Sequence, residues 1–249
     1  MNKIALITGV SSGIGRATAE LFFENGWEVI GISRSAPLEL KSMINIFQVD
    51  LLKSDEIERN FKSIENSYTH IDALVNNAAI QICKPILDTS VEEWDIVFNT
   101  NVRPAFLCSK YGQPLLRKTG GAIVNVSSVH AIATSHNIAT YAASKGALLA
   151  FTRSLAIEFA KDNIRVNAVL PGAVDTPMLH SGLNRNTSSN ASTQEHLEIL
   201  KKKHLFGKIG TPLEIANLIL FLSDNRKSSF ITGQGIIIDG GVMAKLSSE

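Results

Sequence analysis

Seven short apolar runs, spread over 249 residues, limit what this chain can fold into more than any other feature. They occupy residues 3–8, 27–33, 44–49, 71–75, 122–127, 164–170 and 233–241, and each ends in or runs straight into a turn or polar residue. Runs this short and this apolar suit strands buried on both faces, the situation of a parallel sheet. Helical periodicity separates them at residues 16–25, 54–66 and 141–161, and a capping box at Ser90 opens another helix running through Trp94, Val97 and Phe98 towards Asn101. Parallel strands need right-handed helical crossovers, so the expectation is an α/β doubly wound sheet of about seven strands with helices on both faces, and ligands at the strand carboxyl ends. The length suits one domain covering residues 1–249, and 45% apolar with 19% charged residues is ordinary for a soluble enzyme.

The first strand stops at Gly9-x-x-x-Gly13-x-Gly15, and a helix follows. Glycines there let the backbone turn sharply and approach a pyrophosphate, while the helix amides and dipole beyond favour negative charge. About twenty residues further on, where such a unit reads its ribose, the second strand ends in Ser33-Arg34-Ser35 with no carboxylate. A guanidinium there pairs a 2'-phosphate, which favours NADP(H) over NAD(H), the latter remaining possible. Asp50 closes the third strand, and the small residues of Asn76-Asn77-Ala78-Ala79 let backbone approach a ligand after the fourth. Pro104 and Pro114 are expected to kink the helix that passes Asn101, which is placed to hold displaced backbone groups or a water.

Tyr141 and Lys145 are four apart, so on a helix both project from one face. An ammonium beside a phenol favours phenolate and pulls its pKa towards working pH, the requirement for proton transfer to or from a substrate oxygen. Ser128 lies thirteen residues before Tyr141 at the end of the fifth strand, where strand and helix could bring hydroxyl, phenol and ammonium to one point.

Other features exclude or bound. A net charge of +1 gives no argument for nucleic acid, and the cluster Lys201-Lys202-Lys203 reads as a solvated helix face. Cys83 and Cys108 match neither metal spacing nor a disulfide framework, so no metal is expected and reduced thiols suggest a cytoplasmic protein. No apolar stretch approaches membrane-spanning length. Residues 178–206 are rich in Ser, Asn, Thr and His, with helical character resuming near Gln194, and read as a lid over a substrate. Thr211-Pro212-Leu213-Glu214 is a further capping box before a helix over 215–222.

Taken in order, Thr8-Gly9-x-x-x-Gly13-x-Gly15, Asp50, Asn76-Asn77-Ala78, Asn101, Ser128, Tyr141-x-x-x-Lys145 and Pro171-Gly172 with Thr176 resemble the signatures of the short-chain dehydrogenase/reductases, along essentially the whole chain. The resemblance implies a Rossmann-like fold and hydride transfer between a nicotinamide and a carbonyl or secondary alcohol of a small molecule. It makes Tyr141 the general acid or base, Lys145 the residue lowering its pKa and binding the nicotinamide ribose, Ser128 the donor to the substrate oxygen, and Asn101 the holder of a relay water. Gly9, Ser11, Ser12, Gly13, Ile14 and Gly15 would line the phosphates. Asp50, with Leu51, would read the adenine; Asn77, Ala78 and Ala79 would lie along the cofactor, with Pro171, Gly172, Val174 and Thr176 towards the nicotinamide. Homotetramers or homodimers would form through the helices after Ser90 and Tyr141 and the final strand.

Three positions depart from the pattern: Ala79 stands for the usual Gly, Pro104 for a small residue, and His130 should face the substrate. The Tyr-to-Lys spacing is shorter than in the enoyl reductase branch. A 3-oxoacyl thioester reductase and a sugar, polyol or steroid dehydrogenase stay open, as does a non-catalytic dinucleotide-binding regulator, against which the intact catalytic set argues.

Overall fold

The computed structural model describes residues 2–35, 37–185 and 192–245. Its seven strands are β1 Ile4–Thr8, β2 Glu28–Ser33, β3 Asn45–Gln48, β4 Ala73–Asn76, β5 Ala122–Val126, β6 Arg165–Pro171 and β7 Gly235–Ile238. All six pairings are parallel, in the order β3-β2-β1-β4-β5-β6-β7. Each expected run therefore became a strand. The reversal of strand order lies between β1 and β4, which opens a crevice at their carboxyl ends.

Between the strands run α1 Gly13–Glu24, α2 Leu38–Lys41, α3 Ser54–Ser67, α4 Val91–Asn101, α5 Arg103–Leu116, α6 Ala139–Phe159, α7 Pro177–Arg185, α8 Thr193–Lys203, α9 Pro212–Ser223 and α10 Asn225–Ser228. Successive strand side chains point to opposite faces, so the sheet feeds two cores. Ile4 and Leu6 of β1 join Ile57 and Phe61 of α3, Leu107 and Leu116 of α5 and Leu155 of α6. Ala5 and Ile7 join Phe22 of α1 and Ile215, Ile219 and Leu222 of α9 on the other side. Removing that much apolar surface from water, at about 25 cal/mol per Å², explains why the central strands read as predominantly apolar runs.

One expectation needs correction. Instead of one helix kinked by Pro104, the chain makes two, α4 and α5, broken at Val102 (φ −113°, ψ −53°). Pro104 falls in the first turn of α5, where a missing N–H removes no helical hydrogen bond; Pro114 alone lies inside a helix. In the polar stretch 178–206, α7 runs on from Pro177 and α8 opens at Thr193, close to where helical character was expected to resume at Gln194. A third capping box, Ser192 with Glu195, starts α8 as Ser90 with Glu93 starts α4 and Thr211 with Glu214 starts α9. Residues 186–191 of the expected lid lie outside the described residues. Among the described residues no helix is long and apolar enough to cross a membrane.

Candidate active site

A cavity of about 630 Å³ lies at the carboxyl ends of the strands, inside the roughly 300–1,000 Å³ typical of small-molecule sites. One end of it is built by β5 and α6. α6 buries Tyr141, Ser144, Lys145, Leu148 and Thr152, a three- and four-residue spacing that defines its inward face. Polar bonds hold that face in register with the sheet: Asn76 Nδ2 donates to Asn125 Oδ1 (2.8 Å), and Asn125 Nδ2 donates to Thr152 Oγ1 (2.9 Å). Ser127 Oγ donates to the Lys145 carbonyl (2.8 Å), and Lys145 Nζ donates to the Val126 carbonyl (2.7 Å). The end of β5 is thereby tied to the turn of α6 that carries Tyr141 and Lys145.

Tyr141, Lys145 and Ser128 all line the cavity and are 8%, 2% and 6% exposed. Lys145 Nζ lies 5.5 Å from the centre of the Tyr141 ring. Ser128 Oγ accepts the His130 amide (3.2 Å), which leaves the hydroxyl proton to donate elsewhere. Burial pushes the Tyr141 phenol up to about 12, with the Ser128 hydroxyl acting in the opposite direction. Burial likewise brings the Lys145 ammonium down to about 7. The expected lowering of the phenol by the ammonium is therefore reversed: both groups lose water, and loss of solvation opposes charge on each. At neutral pH Tyr141 is protonated, and the ammonium form of Lys145 is disfavoured relative to a lysine in water.

The other end of the cavity is the glycine turn between β1 and α1. Gly9 and Gly13 have φ of +75° and +55°. A Cβ on Gly9 would stand 2.9 Å from Ala78 Cα, and one on Gly13 would stand 3.2 Å from Thr176 Cγ2. α1 begins without a side-chain cap and without an acidic residue in its first turn, unlike the boxed α4, α8 and α9. Its first helical bond is Arg16 N–H to the Ser12 carbonyl (3.2 Å), so the preceding amides have no intrahelical acceptor. Glycine backbone, uncapped amides and the positive end of the helix fit a pyrophosphate. Arg34 lines the cavity, is exposed, and forms no hydrogen bond or ion pair with the described residues, so its guanidinium fits an added phosphate.

Most sequence-proposed positions line this one cavity: Gly9, Ser11, Ser12, Gly13, Ile14, Ser33, Arg34, Asp50 and Leu51 at one end, Asn77, Ala78 and Ala79 along it, and Pro171, Gly172, Val174 and Thr176 opposite. Two do not. Gly15 is a packing glycine, because a Cβ there would stand 2.1 Å from the Gly9 carbonyl oxygen and 2.4 Å from Asn77 Nδ2. Asn101 is set back from the cavity wall: its Oδ1 accepts the Ile80 amide (2.8 Å), while Nδ2 donates to the Ile80 carbonyl (2.9 Å) and to Ser144 Oγ (3.0 Å). Its side chain fixes the loop after β4 against α6. Ala79 avoids positive φ, so the missing glycine costs nothing there.

Several contributors were not foreseen. Thr8 Oγ1 accepts the amides of Asn77 (3.0 Å) and Ala78 (3.1 Å), while Asn77 Nδ2 donates back to the Thr8 carbonyl (2.9 Å), clamping the glycine turn to the loop after β4. Thr8 stood inside the glycine motif, and that adjacency was its only signal. Gln81 Nε2 donates to the Met178 carbonyl (2.7 Å) and links that loop to α7. Val242 and Met243 also line the cavity without having been foreseen, whereas Leu200, Lys203 and His204 line it from within the stretch 178–206 expected to cover a substrate.

A parallel sheet with a phosphate-suited turn at one end of a cavity and a phenol, amine and hydroxyl at the other defines a dinucleotide-dependent oxidoreductase. Comparison with known proteins agrees. The family model described as enoyl-(acyl carrier protein) reductase matches residues 9–243. A 3-oxoacyl-[acyl-carrier-protein] reductase of Chlamydia muridarum is 38% identical, over 97% of this chain and 98% of that protein. Ligand-free aldohexose dehydrogenase of Thermoplasma acidophilum superposes with a TM-score of 0.92 at 32% identity, covering 99% of this chain and 96% of that one. A single-substitution variant of actinorhodin polyketide ketoreductase with NADPH gives 0.91 at 28% identity, with 97% of each chain covered. The chain belongs to the short-chain dehydrogenase/reductase family. It is an NAD(P)-dependent oxidoreductase acting between carbonyl and alcohol.

Proposed function

We propose that this enzyme reduces a small ketone with NADPH as its preferred cofactor, Tyr141 giving the proton and Ser128 holding the carbonyl oxygen. The observation that carries the reading is the convergence of Tyr141, Ser128 and Lys145 on one buried wall of the cavity that begins at the uncapped end of α1. The turn from Gly9 to Ile14 would hold the phosphates, Asp50 and Leu51 the adenine end, and Thr176 with Pro171, Gly172 and Val174 the nicotinamide end. Bound there, the nicotinamide supplies the hydride for the carbonyl carbon. The Tyr141 hydroxyl, kept protonated at neutral pH by burial, gives its proton to the carbonyl oxygen as that oxygen becomes basic on hydride arrival. Ser128, its oxygen already accepting from His130, directs its own proton at the charge that develops on that oxygen. Lys145, its Nζ held by the Val126 carbonyl beside the Tyr141 ring, is suited to return a proton to Tyr141.

NADPH is preferred because Arg34, without an ion-pair partner among the described residues, supplies charge where a carboxylate would repel a 2'-phosphate. Parallel titrations of NADPH and NADH, repeated on Arg34→Ala, test this: the substitution should weaken NADPH about tenfold, ~1.4 kcal/mol, and leave NADH little changed. Equal loss for both would make Arg34 structural. A 3-oxoacyl thioester is the second reading, supported by the Chlamydia relative and by the exposed Lys203 on the cavity wall. The Tyr141-to-Lys145 spacing, shorter than in the family's enoyl reductase branch, supports reduction of a carbonyl over that of a double bond. A homotetramer or homodimer is supported by apolar side chains left on the surface of α4, α5 and α6 and beside β7: Trp94, Phe106, Ile157 and Phe230.

A further inference from the structure

We propose that His130 selects the substrate, its Nε2 binding a second oxygen function, hydroxyl or carboxylate, one or two carbons from the carbon that reacts. The inference rests on the reading of Tyr141 and Ser128 given above. The imidazole stands edge-on to the Tyr141 ring, with centroids 5.9 Å apart and planes at 79°. Its backbone amide is bonded to Ser128 Oγ, so the ring is fixed relative to both groups that address the reacting oxygen. Nδ1 lies 3.0 Å from Thr134 Oγ1, which sets the ring's orientation and occupies one nitrogen. Nε2 has no hydrogen-bond partner among the described residues, although the residue lines the cavity.

Proton and hydride transfer to a carbonyl leave this nitrogen unused. Ile80, Val129, Ala133, Met178 and Leu179 bring apolar surface to the same cavity. A plain ketone would strip water from Nε2 and return nothing, whereas an oxygen function placed beside the carbonyl would restore its hydrogen bond. When the Thr134 hydroxyl donates to Nδ1, Nε2 carries the proton and can donate to a hydroxyl or a carboxylate; in the other tautomer it accepts from a hydroxyl. Burial lowers the pKa of His130, so the uncharged ring is the resting form.

Three four-carbon ketones separate the cases: butan-2-one, 3-hydroxybutan-2-one and 3-oxobutanoate, each assayed for kcat/KM with NADPH on the native enzyme, His130→Ala and His130→Gln. The expected result is that one oxygenated ketone exceeds butan-2-one by at least tenfold. His130→Ala should bring that ratio close to one, and His130→Gln, which keeps a hydrogen-bonding end group, should restore part of it. Whichever oxygenated ketone is preferred identifies the substituent. Equal kcat/KM for all three ketones, or an alanine variant that lowers all three alike, would overturn the role of His130 and leave the reductase reading standing. If no ketone, thioester or alcohol is turned over by protein that binds NADPH, the reductase reading fails and this inference fails with it.

Discussion

Replacing Lys145 with Met tests whether its amine is as far from water as the packing indicates. In the fold the group titrates near 7, against an ordinary 10.5. Between those values the unfolded chain binds a proton on this residue and the folded chain does not, so stability rises with pH. Below about pH 7 both states are protonated and the dependence vanishes. The ceiling on the slope is roughly 1.4 kcal/mol per pH unit. From pH 7.5 to 9.5 the native protein should therefore gain up to about 3 kcal/mol relative to Lys145→Met, all other groups being common to both. Tyr141, raised from 10.0 to about 12, contributes in the opposite sense, with stability lost as pH climbs above 10, outside this window. Urea denaturation followed by tryptophan fluorescence at pH 7.5, 8.5 and 9.5 gives the two curves. Parallel curves would mean that Lys145 keeps an ordinary ammonium in the fold, and the burial argument would be wrong.

Gly15→Ala should destabilise the protein by about 1–3 kcal/mol and weaken NADPH binding, because the added carbon meets the backbone carbonyl of Gly9, which cannot swing aside; thermal melts and a binding titration check both. Asn101→Ala should cost about 2–4 kcal/mol, or very roughly 5–10 °C in Tm, by stripping the Ile80 amide and carbonyl of their partner, and calorimetry measures it. Thr8→Val should loosen the clamp on Asn77 and Ala78 and raise the Kd for NADPH more than it lowers Tm, since two loop amides lose their acceptor at the edge of the cavity.

The sheet was legible because parallel strands buried on both faces are mostly apolar, as β1, β2, β4 and β5 are, while the edge strands β3 and β7, only partly buried, kept short apolar centres. Tyr141 and Lys145 were legible for a similar reason, helical spacing alone placing them on one face. Where tertiary packing decides, the sequence was silent. Pro104 looked like a kink because nothing local shows that Val102 ends one helix and that the proline begins the next. Gly15 looked like part of the phosphate cradle, yet its role depends on the approach of Gly9 and Asn77, residues brought together only by the fold. Asn101 was placed beside a water, whereas the loop after β4 occupies its amide. The ionisation of Tyr141 was inferred from its neighbour's charge, and burial, which no motif encodes, decides the direction instead.

The most direct test of the account is Tyr141→Phe, measured for NADPH binding by fluorescence and for turnover of the best ketone in one preparation. The account predicts retained binding, with turnover reduced about 100- to 10,000-fold, the usual worth of a positioned general acid. Undiminished turnover would contradict it, because some other group would then be supplying the proton.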